Sequence, residues 1–281
     1  MTEKEGLTAP PSLFILKQLV RILMEIRDWA IRLLSADTLD EKLLNPGILT
    51  DHHPGPPLLW ETPSRPVGMG FQKHTRKNKL PPLHDHRDRD KRGICLHRFA
   101  GHELLAVEIM AYALLAFPQA PAHFRKGLAH TLKEEQRHVT LYIKRMSAFG
   151  LKFGDLPLYR HFWAYVPYLT NPLRYVSVMS LTLEMANLDF APIYRDSFLK
   201  YDDPESAALM QTILNDEINH VSFGYQWLQK WKPQETSAWD TWVANLPPLA
   251  TPSRAKSSPF HPQHRKKAGI PEAWILNLEK S

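Results

Sequence analysis

One pattern restricts the folds open to this sequence more than any other. Glu-x-x-His occurs twice, as Glu135-Gln136-Arg137-His138 and as Glu217-Ile218-Asn219-His220. Residues three apart on a helix share a face, so each copy aims one carboxylate and one imidazole in the same direction. A single copy would carry little weight, because a solvated helix face produces the same tetrapeptide. Two copies in register carry more. Ahead of each stands another glutamate within an apolar helical run, Glu103 before Leu104-Leu105 and Glu184 before Met185-Ala186, at nearly equal distances from Glu135 and Glu217. A further acid follows each of these, Glu108 and Asp189.

Two helical hairpins, each giving one Glu and one Glu-x-x-His, supply the ligand set of a ferritin-like dimetal carboxylate bundle. The candidate metal ligands are therefore Glu103, Glu135, His138, Glu184, Glu217 and His220. Carboxylates with imidazoles suit first-row ions. Two metal ions are expected, iron first, with manganese or zinc as alternatives. Glu135 and Glu217 are the expected bridges, with Glu103 and Glu184 more terminal. Glu134 and Asp216, just before the two motifs, could each accept the distal N–H of the opposite histidine and fix its tautomer.

Hairpin geometry separates the two acids of the first helix. With the turn near Gln119, Glu103 and Glu135 lie level, whereas Glu108 misses that level by roughly 7 Å at ~1.5 Å per residue. Glu103 is thus taken as the ligand, and Glu108 as an outer, substrate-facing or interhelical acid. In the second hairpin Asp189 fits about as well as Glu184. Glu184 is retained for its match to Glu103, with a kink at Pro192 as one way to absorb the misfit, and Asp189 is assigned to the outer set. An apolar lining is expected from Leu105, Met110, Met185 and Leu188, and Tyr112 and Tyr142 are candidate redox neighbours whose default role is packing.

At 281 residues the chain is long enough for one periodic core with long tails. The 24 prolines fall mostly outside the helical periodicity, so tails and connectors should be extended. Three regions follow: an amphipathic helix (12–36) and Pro-rich wrap over 1–92, a four-helix core over 93–235, and a docked extension over 236–281. The core helices are expected over 94–117, from Pro121 to about Ser147, from Pro172 to Lys200, and from Asp203-Pro204 to Trp231. The lone Cys95 excludes an internal disulfide and leaves thiol catalysis unsupported. No signal-peptide pattern opens the chain, and charges interrupt its first apolar run, so a cytoplasmic protein without a membrane partner is expected. The net charge of +6 permits an acidic partner without requiring one. The mixed run His84 to Arg92 reads as a solvated charged face.

With these residues in view, the chain resembles a bacterial ferritin-like family catalogued as domain of unknown function 455. The similarity rests on His102-Glu103-Leu104 and its following acid, Glu135-Gln136-Arg137-His138, Phe153-Gly154-Asp155-Leu156-Pro157, Asp216-Glu217-Ile218-Asn219-His220-Val221, Ser258-Pro259-Phe260-His261 through Arg265, and Ala268-Gly269-Ile270. It covers nearly the whole chain. The resemblance implies an all-α, ferritin-like four-helix bundle with added helices and a dimetal site, and names no substrate. A more distant similarity is to the bacterial non-haem diiron enzymes that hydroxylate a modified adenosine in tRNA. The long Pro-rich wrap and the basic insert Lys73-His74-Thr75-Arg76-Lys77-Asn78-Lys79 set this chain apart from them. The expectation is an oxygen-dependent dimetal oxidase or hydroxylase, monomer or homodimer, served by an electron donor and acting on a small or RNA-borne substrate. Metal storage or ferroxidation, and a non-enzymatic bundle that binds RNA through its basic segments, are the alternatives.

Overall fold

The computed structural model describes residues 23–72 and 79–281. Most of the basic insert (73–78) and the first half of the expected N-terminal helix lie outside the described residues. Within them that helix begins later than expected. Residues Leu23–Glu25 form a strand, β1, ahead of helix α1, Ile26–Ser35. Then come α2, Leu39–Lys42, and β2, Ile48–Thr50, which pairs in parallel with β1 from Leu23↔Ile48 to Glu25↔Thr50. Glu25 fastens this pair by accepting from Thr50 Oγ1 at 2.5 Å and from the backbone N–H groups of His52 and His53 at 2.9 and 3.0 Å. The wrap then runs on through β3, Phe71–Gln72.

The core is two long hairpins. The first is α3, Arg89–Ala116, and α4, Ala122–Ser147, joined by a short proline-bearing link. Asp88 caps α3 by accepting from the Asp90 N–H. Because α3 is apolar nearly all round, it sits at the centre, with α1 burying Trp29, Leu33 and Leu34 against it. It is also the one helix among the described residues long and apolar enough to cross a membrane, and its surface is met by protein. Gly150, at φ 77°, ends the turn after α4.

A crossover holding β4, Leu158–Tyr159, which pairs with β3, leads to the second hairpin. Its first arm is not one regular helix: α5, Pro172–Val178, passes into a π-helical stretch, Met179–Glu184, and then into α6, Met185–Lys200. The wider i→i+5 winding leaves the Ser177 carbonyl off the α-helical ladder. Thr182 Oγ1 at 2.7 Å and Trp242 Nε1 at 3.0 Å donate to it instead. The return arm, α7, Pro204–Trp231, starts where Asp203 accepts from the Ser206 N–H, with Pro204 in the first turn. Asp203 also pairs with Arg92 and Arg145, tying the start of α7 to the first hairpin.

Beyond α7 the extension is more helical than its composition suggested. It forms α8, Ala238–Ala244, a short turn over Pro252–Ala255, α9, Pro262–Lys267, and α10, Glu272–Lys280, which buries Trp274, Ile275 and Leu278. The architecture is an all-α bundle with two minor parallel strand pairs. The charged run before α3 is only partly a solvated face. His84 is exposed, but His86 is buried between Cys95 and Ser197, at 3.2 and 2.9 Å.

Candidate metal centre

Each hairpin delivers its acids to the same depth. Glu103 comes from α3, Glu135 and His138 from α4, Glu184 from the last residue of the π stretch, and Glu217 and His220 from α7, all buried. Glu135 is central. One of its oxygens lies 3.1 Å from His138 Nδ1 and the other 3.1 Å from His220 Nδ1. Ligand atoms of Glu103, Glu135 and His138 lie within 4.8 Å of one another, as do those of Glu135, Glu217 and His220. Glu135 thus belongs to both groups. Glu184 belongs to neither, but it shares a cavity wall with Glu103, Glu135 and Glu217.

The outer nitrogens of the histidines are held crosswise. His138 Nε2 lies 2.9 Å from Asp216 of α7, and His220 Nε2 lies 3.0 Å from Glu134 of α4. Burial opposes ionisation of Glu134 and Asp216, but these histidines outweigh it and hold both carboxyls below their ordinary values. An ionised carboxylate only accepts, so each Nε2 carries a hydrogen and each Nδ1 faces inward.

Charge within the cluster is unbalanced. Burial, and then the neighbouring carboxylates Glu135 and Glu217, push Glu103 well above the carboxylate range. Burial likewise lifts Glu184 to about 8 and raises Glu217. Burial would raise Glu135 too, but the charge and hydrogen bond of His138, and then the nearby His220, bring it below its ordinary value. His138 is held at about 9, because Glu135 and Asp216 overcome the cost of burying its charge.

Several buried atoms here have no hydrogen-bond partner: both Glu184 oxygens, Glu217 Oε2 and His220 Nδ1, whose 3.1 Å approach to Glu135 is not a hydrogen bond. Unsatisfied buried polar groups are costly and call for an explanation. Cations among four crowded carboxylates would satisfy these atoms and relieve the repulsion that raises three of the acids. The residues fit a metal centre: these buried Glu and His groups can hold metal ions.

The model of a family described as "Protein of unknown function (DUF455)" matches residues 27–276. This chain belongs to the DUF455 family. No curated protein and no solved structure matches it.

In this DUF455 protein the two remaining acids of the duplicated pattern do not join the cluster. Glu108 lies 3.0 Å from Lys42 Nζ and also pairs with Arg65. Asp189 accepts from both terminal nitrogens of Arg265 and from the Ser257 and His261 N–H groups. Neither lines the cavity: Glu108 takes the interhelical option, and Asp189, like it, sits in a buried ion pair. A step of five residues turns a helix by ~500°, or 140° net, which carries each away from its neighbouring glutamate's face.

The cavity, of about 180 Å³, is otherwise apolar. Leu105, Met110, Met185 and Leu188 do not line it and are simply core, and Tyr112 packs on Trp163. The wall is instead formed by Phe99, Tyr142, Met179, Leu183 and Met210, with Tyr142 Oη donating to Met210 Sδ at 3.5 Å. Three polar lining residues have no role in the sequence reading. Asn187 Nδ2 donates to Glu217 Oε1 at 2.7 Å, and its place three residues after Glu184 was a usable signal. His102 stands beside Glu103 in its own motif. Arg254, far along in the Pro-rich extension, carried no sequence signal at all.

Proposed function

We propose that this protein is a non-haem dimetal oxidoreductase, with iron as the working metal, that uses dioxygen to oxidise an organic substrate held in the 180 Å³ cavity. The observation that carries the reading is the sharing of Glu135 between two groups of buried ligand atoms, with a histidine at each end. When bound, two ferrous ions would supply two of the electrons for reduction of dioxygen, the other two coming from the C–H bond as it becomes C–OH with release of water, and an external reductant would return two electrons to the site.

The chain's own residues divide the remaining work. Glu135 and Glu217 would serve both ions, Glu103 and Glu184 would hold one ion each, and His138 and His220 one each. Asp216 and Glu134 fix the imidazoles through Nε2 and so keep each Nδ1 presented to the site. Asn187 orients Glu217 through one oxygen and leaves the other free. The apolar wall keeps bulk water from the site, which strengthens its electrostatic interactions.

Metal content decides the first step. Protein loaded with Fe(II) and desalted should hold about two ions per chain by elemental analysis, as the dimetal pattern requires. Glu135→Ala and His220→Ala should each hold far less. Equal content in all three proteins, or none in the parent, would overturn the reading.

A further inference from the structure

The cavity has two unlike ends. Its inner end is acidic, formed by Glu103, Glu135, Glu184 and Glu217. Among its half-exposed lining residues are Leu80, His102, Phe162, Phe190 and Arg254, drawn from five separate parts of the chain, and these make the rim. Among the described residues Arg254 is the only lysine or arginine on the lining. Among the described residues its guanidinium has no hydrogen-bond or ion-pair partner.

The backbone that carries Arg254 is nevertheless held in place. Arg254 belongs to the short turn Pro252–Ala255. The Ala255 carbonyl accepts from Arg265 Nη2 at 2.9 Å, and the Ser257 N–H donates to Asp189 at 2.8 Å. Arg265 and Asp189 are themselves fully buried and paired, at 2.8 Å. The buried ion pair that does not reach the metal cluster therefore fixes the strap that brings Arg254 to the rim. A guanidinium on an anchored strap, unpaired among the described residues and at the mouth of a largely apolar cavity, is a receptor for an anion.

Size and charge restrict the occupant further. A cavity of roughly 150 Å³ takes a benzene ring, so 180 Å³ admits a group of about that size. At the inner end, lined by Glu103, Glu135, Glu184 and Glu217, an acidic head meets no lysine or arginine among the described residues. It must face Arg254, which sends the hydrocarbon end inward towards the candidate ligands.

We propose that the cavity binds a small organic acid, with an apolar body about one aromatic ring in size seated against Phe99, Met179 and Leu183 and its carboxylate held at the rim by Arg254. The fate of the bound molecule rests on the dimetal reading above; its binding does not.

The test is titration calorimetry on the full chain, iron-loaded under anaerobic conditions, with 3-phenylpropionate and its neutral isostere 3-phenylpropionamide. The acid should bind about tenfold or more tighter than the amide, as one charge-assisted hydrogen bond provides. Arg254→Met should abolish that preference while leaving amide affinity and metal content unchanged, and Arg254→Lys should restore part of it. Equal affinity for acid and amide in the parent, or undiminished acid binding in Arg254→Met, overturns the proposal. Acid binding lost in Glu135→Ala but kept in Arg254→Met would place the carboxylate on the ions and overturn it too. A parent that takes up no iron yet still prefers the acid through Arg254 would sink the dimetal reading and leave this one standing.

Discussion

Glu103 and Glu108 lie little more than a turn apart on one helix and keep opposite company. Glu103 faces other carboxylates and rises well above its ordinary value through burial and their charge, whereas Glu108 is clasped by Lys42 and Arg65 with no side-chain exposure of its own. Lys42 is itself buried and donates to the Leu33 carbonyl at 2.7 Å. Removing one partner from a buried ion pair strands the other charge, at a cost of about 3–5 kcal/mol. Glu108→Ala should therefore lose stability on that scale in urea denaturation while keeping its metal content. A variant that holds its stability but loses metal would return Glu108 to the ligand set. The choice between these acids was open to sequence reasoning, because helical rise and rotation alone separate them. The identity of Glu108's partners was not, because Lys42 ends the short helix α2 and Arg65 lies in the aperiodic wrap, and no spacing rule sets the path of either over the core.

At the scale of elements, the irregularity of the second hairpin is the π-helical stretch Met179–Glu184 and not a kink at Pro192. Counting residues from the turn left Glu184 out of level with Glu217, and Pro192 offered itself as the remedy. Residues 185–200 remain one helix through Pro192, and the irregularity lies before Glu184. A π turn holds more residues than an α turn, so it changes both the level and the facing of every residue after it. Nothing in Met179-Ser180-Leu181-Thr182-Leu183-Glu184 announces this, because the stabilising donor, Trp242, comes from a helix far along the chain. Packing also fixes the stretch from the α7 side. A Cβ on Gly224 would stand 2.3 Å from Ser180 Cβ, and both atoms are rooted in backbone. Gly224→Ala should thus force the two elements apart, costing about 1–3 kcal/mol and lowering metal content by displacing Glu184. Guanidinium denaturation and elemental analysis on the same sample would check both effects, and a variant as stable and as metal-rich as the parent would show that the approach is not tight.

Over the whole molecule, the periodic hairpins were legible because each repeats a 3.6-residue pattern bounded by caps, Asp203-Pro204 being the clearest. The tails were not, because they gain their structure from surfaces they pack on. Two histidines at such junctions make the assembly sensitive to acid. His86, wedged between Cys95 and Ser197, and His97, which accepts from the Gly154 and Leu156 N–H groups at 3.0 and 3.4 Å, are both fully buried. Burial, then the nearby charges of Arg92 and Arg98 respectively, lower each to about 4 from an ordinary 6.5. The unfolded chain therefore binds more protons than the folded one between pH 6.5 and 4, so stability is complete above that window and falls as pH drops through it. Protonating His97 would also take away the acceptor that holds the crossover loop. Replacing it by Gln keeps an acceptor without a titrating ring. His97→Gln should then show a shallower loss of unfolding free energy between pH 6.5 and 4 than the parent, by up to about 1.4 kcal/mol per pH unit, the share of one proton. Taking the difference between variant and parent cancels the contribution of every other titrating group, and parallel slopes would show that His97 is already charged in the folded protein.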